Sequence, residues 1–190
     1  MSDRLRILVL GYVVRRPLGG GTWPTLQYAL GLLRLGHDVW FLEDSEDYAC
    51  CYDPSRHITS QDPTFGLAYA KSVFERTGLG ERWAYYDAHK DTWHGPQGDR
   101  VPDIAASADL LLNVSGINPI RPWLAAVPHR AYIDIDPAFE QIRQLTDRHR
   151  RERALQHNVF FTDGENIPKG TAKVPADGVP WQTIRQPVVM

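Results

Sequence analysis

An open, mostly parallel α/β sheet flanked by helices, of Rossmann-like type, is the fold this sequence predicts. Short apolar runs bounded by polar or turn residues recur along the chain, as in strands covered on both faces. Between them lie segments whose apolar residues repeat at helical spacing, and strands alternating with helices build parallel sheets. At 190 residues, the chain can bury roughly 70% of its unfolded surface in a core without crosslinks.

Ile7-Leu8-Val9-Leu10 is the first run, set between a charged leader and Gly11. A long loop follows through Arg15, Arg16 and Gly19-Gly20-Gly21. Thr22 is placed to cap a helix, Pro24 fits its first turn, and Leu26, Ala29, Leu30 and Leu33 give it one apolar face. Gly36 ends that helix, and Val39-Trp40-Phe41-Leu42 forms a second strand closed by Glu43 and Asp44. The first 44 residues thus make a βαβ unit.

Ser45 to Gln61 shows no periodicity and reads as an irregular excursion. Asp62-Pro63 opens a helix with Phe65, Ala68, Tyr69 and Val73 on one face and Gly78 as its stop. Trp83-Ala84-Tyr85-Tyr86 is a third strand, and Asp87 to Pro102 is polar and turn-rich. A short helical stretch near Ile104 to Ser107 precedes the strand Leu110 to Val114. Ala131 to Ile135 is the next strand, Pro137 starts a helix through Phe139, Ile142 and Leu145, and Val159 to Thr162 follows. The closing Arg185 to Met190 reads as the lead-in to a further strand or linker. The expectation is one Rossmann-like domain over 1–190, the N-terminal half of a longer two-domain protein.

Composition excludes several classes. A net charge of −2 argues against a nucleic-acid reader with a broad basic face. The two cysteines, Cys50 and Cys51, are adjacent, which rules out a disulfide framework. The longest apolar run, Ile7 to Val14, is far short of the roughly 20 residues of a membrane span. A cytoplasmic protein without a membrane span is expected.

In such sheets ligands bind outside the carboxyl ends of the strands. Those ends carry Gly11 with the loop to Gly21, Asn113 with Ser115, Asp134 with Asp136, and Asp163 with Glu165. Gly19, Gly20, Gly21 and Thr22 lie where a helix N-terminus offers free N–H groups to a phosphate, sugar hydroxyl or carboxylate, and Arg15 and Arg16 add cationic donors. The alternative is a flexible turn with surface arginines. A dinucleotide fingerprint is disfavoured, because seven non-glycine residues separate Gly11 from Gly19, although Glu43 or Asp44 stands where a ribose-binding acid would. Asp134 and Asp136 lie on one face of a strand, as a divalent-cation pair would; Asp136 reads better as the cap of the helix that follows. No metal site is expected: Asp87, His89, Asp91 and His94 read as a solvated loop. The arginines between Arg143 and Arg153 read as the wet face of a helix. G-x-S-x-G, Walker A and H-E-x-x-H sequences are all missing.

The opening R-I-L-V-L-G-Y, the glycine-rich loop, Leu33-Arg34-Leu35-Gly36-His37-Asp38-Val39 and the strand ending F-L-E-D resemble the N-terminal half of GT-B-type glycosyltransferases. Phe160 to Gly164 and Arg185 to Val189 resemble the last strand of that half and its exit. The resemblance implies an acceptor-side domain whose nucleotide-sugar co-substrate is held by a second domain or chain. It places Gly19, Gly20 and Gly21 near the donor diphosphate and reacting sugar. It implies no other cofactor. The loop lacks the histidine that inverting members often carry after the first strand, so the resemblance assigns no catalytic residue. A non-catalytic module binding a nucleotide or small molecule is the alternative from a different class.

Overall fold

The computed structural model describes residues 4–190. Strands β1 (Arg6–Leu10), β2 (Asp38–Asp44), β5 (Trp83–Asp87), β7 (Leu110–Val114), β8 (His129–Asp134), β9 (Val159–Thr162) and β10 (Gln182–Thr183) run parallel in one sheet, and β6 (Thr92–His94) pairs antiparallel with β5 at its edge. The order β10-β9-β8-β7-β1-β2-β5-β6 reverses direction between β1 and β7. That reversal opens a crevice at the carboxyl ends of these two strands.

Alternation along β1 divides the core. Ile7 and Val9 face helices α1 (Gly19–Arg34) and α2 (Thr64–Arg76), whereas Leu8 and Leu10 face α3 (Val101–Ala106). A third cluster joins Tyr132 and Phe160 to Ala154 of α5 (Arg148–Ala154) and to Trp181. Gly11 makes the close approach of α1 possible, since a Cβ there would lie 2.8 Å from both Phe41 and Thr25.

Several local expectations are corrected. The three glycines form the first turn of α1 rather than a loop before it, and its N-cap residue is Leu18, whose carbonyl accepts the N–H groups of Gly21 and Thr22. Thr22 therefore does not cap the helix; it is buried, with its hydroxyl 3.2 Å from that of Tyr69. The excursion after β2 contains an antiparallel hairpin, β3 (Cys51–Asp53) with β4 (Ile58–Ser60), and the turn-rich stretch after β5 contains β6. Helix α2 buries Gly66, Ala70 and Phe74, not the face through Phe65 and Ala68, both of which are exposed. Gly66 sets that rotation, because any side chain there would overlap the Val14 carbonyl.

The largest inversion is in α4 (Phe139–Thr146). Its apolar residues Phe139, Ile142 and Leu145 are exposed, and Glu140, Gln141 and Gln144 are buried. Two hydrogen bonds fix this orientation: Tyr132 donates to Glu140 at 2.6 Å and Gln141 donates to Asp134 at 2.9 Å. Asp136 does not cap this helix. The Ala138 N–H is taken by the Gln141 side chain at 2.6 Å instead, and the Asp136 N–H is taken by Asp134. Among the described residues, no helix is long and apolar enough to cross a membrane.

Candidate ligand pocket at the carboxyl ends of the strands

The backbone leaving β1 turns so that three successive N–H groups converge, the geometry that forms an anion-binding nest. Here a side chain of the protein occupies it. The Glu43 carboxylate, at the end of β2, accepts from Val13 at 2.6 Å, Val14 at 2.8 Å and Arg15 at 2.7 Å, and the Arg15 guanidinium lies 3.4 Å from it. Burial raises the Glu43 pKa, outweighing the opposing pull of Arg15 and the three amides, and all four hydrogen bonds to its oxygens come from N–H groups. Burial alone would lower the Arg15 pKa, but Glu43 reverses it and the guanidinium stays charged.

Asn118 closes the crevice beside this pair. It is 2% exposed, donates to the Gly11 carbonyl at 2.9 Å and accepts from the Asp44 N–H at 2.9 Å, tying together the loops after β1, β2 and β7. Asn113, fully buried, holds Asn118 in turn by donating to its carbonyl at 2.8 Å. The other face of Asn113 meets His157, whose Nδ1 bonds the Ala154 carbonyl at 2.9 Å, leaving Nε2 as acceptor for the Asn113 amide at 3.1 Å. Burial lowers the His157 pKa to about 4, so the ring is neutral. Ser115 has a positive φ of 60°, and its N–H bonds the Ile133 carbonyl. None of these groups is left open to a ligand except the Ser115 hydroxyl, which makes no hydrogen bond among the described residues.

Beyond Glu43 and Asn118 lies a cavity of about 360 Å³, bounded by the loop after β1 (Tyr12, Arg15, Arg16), the segment after β2 (Glu46, Tyr48, Cys50), the hairpin (Tyr52, Thr59), Ile117 and Arg150 of α5. The hairpin is anchored to this wall by the Tyr52 N–H, which bonds the Arg15 carbonyl at 2.9 Å. Glu46, with a positive φ of 60°, is gripped by both terminal nitrogens of Arg153 at 2.9 and 3.0 Å and lies 3.6 Å from Arg15. Its charge is balanced within the protein. Arg121 likewise holds Asp44 through two bonds of 2.8 and 3.0 Å.

The sequence-derived candidates therefore separate into three places. Arg15 and Arg16 reach the cavity, Arg15 as a buried strut and Arg16 exposed. Gly19 and Gly20 are exposed on the first turn of α1, and Gly21 packs beside the loop after β1, where a Cβ would be 3.5 Å from the ring of the cavity-lining Tyr12. Asp134 ends β8, and Asp163 and Glu165 follow β9, all outside the lining of the cavity. Asp134 is fully buried and accepts from Asp136, Gln141 and Thr162, so its oxygens are committed to protein donors. Glu165 pairs with Lys169 at 2.6 Å. Asp163 is half-buried; burial, then Asp134 and Asp136, push its carboxyl upward. Among the described residues no cluster of three or more His, Cys, Asp or Glu side chains is arranged to hold a metal.

Sequence reading missed Glu46, Asn118, Arg150, Arg153 and the tyrosines of the hairpin side. Arg150 and Arg153 were readable only as part of a charged helix face; on folding, Arg153 points to Glu46 and Arg150 to the cavity. No family model matches the chain, and neither a curated protein nor a solved structure matches it.

Proposed function

We propose that this chain is the acceptor-side half of a GT-B-type glycosyltransferase, binding a small hydroxyl-bearing acceptor in the cavity between the β1 loop and the β3–β4 hairpin. The nucleotide sugar is brought by a second domain or chain. The observation that carries this reading over a nucleotide-binding module is the occupied nest: Glu43 takes the three amides that in a nucleotide-binding half would meet phosphate. The strand order with its reversal beside the cavity supports it further. Glycosyl transfer needs an acceptor hydroxyl held for attack and a diphosphate stabilised as it leaves. Only the first of these tasks is assigned to residues of this chain, and no residue is assigned as the base.

Titration calorimetry of the chain with NAD and UDP-glucose, together with a transfer assay using labelled UDP-glucose, tests the reading. The chain alone is expected to bind NAD weakly and to transfer no sugar, and transfer is expected once the donor-binding partner from the source cells is added. Tight NAD binding that depends on Gly11, or rapid transfer by the chain alone, would overturn it.

A further inference from the structure

Within the cavity the charges do not cancel. Arg15 is paired with Glu43, and Glu46, the carboxylate on the wall, is held by Arg153. That leaves Arg16 and Arg150, whose guanidinium groups make no hydrogen bond or ion pair among the described residues, although both line the same space. They come from different elements, the loop after β1 and helix α5, so their convergence is a product of the fold and not of a local basic run. Three aromatic walls accompany them. Tyr12, Tyr48 and Tyr52 line the cavity, and among the described residues the hydroxyls of Tyr12 and Tyr48 also make no hydrogen bond. Guanidinium forks match the oxygens of phosphate and carboxylate, and aromatic rings with free hydroxyls suit the faces and edges of a sugar-like ring. A volume of about 360 Å³ is at the small end of ligand pockets and too small for a dinucleotide.

We infer that the ligand of this cavity is an oxyanion-bearing hydroxyl compound of monosaccharide size, a sugar phosphate or sugar acid, whose anionic group sits between Arg16 and Arg150. On the proposed transferase reading this makes the acceptor anionic, but the binding claim stands independently of whether sugar is transferred. The charge selects and orients the ligand; the hydroxylated ring then faces the tyrosines.

The test is competition binding with four probes: inorganic phosphate, glucose 6-phosphate, glucuronate and glucose. Glucose 6-phosphate and glucuronate are expected to bind at least about tenfold more tightly than glucose, with an affinity that falls as salt is raised. If the phosphate ester alone gains, the site reads phosphate; if both gain, it reads oxyanions in general. Arg16→Gln and Arg150→Gln should each reduce that affinity about tenfold, and the double variant should bind charged and neutral sugars alike. Both side chains are without hydrogen bonds or ion pairs among the described residues, so unchanged thermal melting is expected, and melting curves verify that the variants fold. Equal affinity for glucose and its charged relatives, no binding of any probe, or affinity untouched in the folded double variant would each overturn the inference. Failure of transfer with arginine-dependent anion binding intact would overturn only the transferase reading.

Discussion

Two groups of polar residues stand at the carboxyl ends of the sheet, one around Glu43, Arg15 and Asn118, the other around Asp134, Thr162 and Gln141, and they differ in what they leave over. On the β8–β9 side the buried carboxylate accepts from a backbone amide, an amide side chain and a hydroxyl, and the neighbouring Glu165 is paired. The β1–β2 side is equally well bonded at its base, yet two guanidiniums and two phenols beyond that base have no partner among the described residues. Polar residues at strand ends become a ligand site only after internal partners are subtracted. By that measure Asp134 and Glu165 are framework and the cavity beside Arg16 and Arg150 is the candidate site, while Asp163, whose buried Oδ1 has no partner among the described residues, is left over on the β8–β9 side.

If the Glu43 carboxylate is framework on its side, Glu43→Gln should be the most damaging single change. It removes the charge facing buried Arg15 and sets an NH₂ group against backbone donors, for an expected loss of about 3 to 5 kcal/mol measured by urea unfolding. A loss under 1 kcal/mol would mean that the nest is not closed as described.

The seam between the two regions runs through Asn113 and His157, and it should respond to acid. His157 titrates near 4 in the folded chain against an ordinary value of 6.5, so the unfolded state binds a proton that the native state refuses. Stability from this residue is complete above pH 6.5 and is lost as pH falls toward 4, with a change of about 3 kcal/mol. Unfolding curves across that window should show the slope, and His157→Gln should flatten it.

Asp134→Asn disturbs the buried carboxylate of the β8–β9 side. One oxygen is replaced by a donor facing donors, which should cost about 1 to 3 kcal/mol in unfolding experiments. Affinity in the cavity should be unchanged. A loss of binding larger than the loss of stability would return Asp134 to the list of ligand contacts.

The strands were legible because parallel-sheet strands are buried on both faces and so carry uninterrupted apolar runs; Leu110–Val114 and Val159–Thr162 appear at the bounds their composition predicts. Edge elements were not, since β3, β4 and β6 are three residues each and bury little. Helix α4 defeats pattern reading for a different reason. Its apolar stripe is genuine, but bonds from Tyr132 and to Asp134, which lie on β8, turn the opposite face inward. Of the site, Arg15 and Arg16 were visible from their loop, whereas Asn118 and Arg150 act through contacts with residues about 100 positions away or with the cavity, and no local spacing announces them.

Amide chemical-shift mapping with glucose 6-phosphate reads out where on the protein a ligand sits. Perturbations are predicted at Tyr12 to Arg16, Glu46 to Tyr52, Ile117 and Arg150. Perturbations centred instead on Gly19 to Thr22 or on Asp163 to Glu165 would contradict it and move the site to the helix terminus or the acidic crevice.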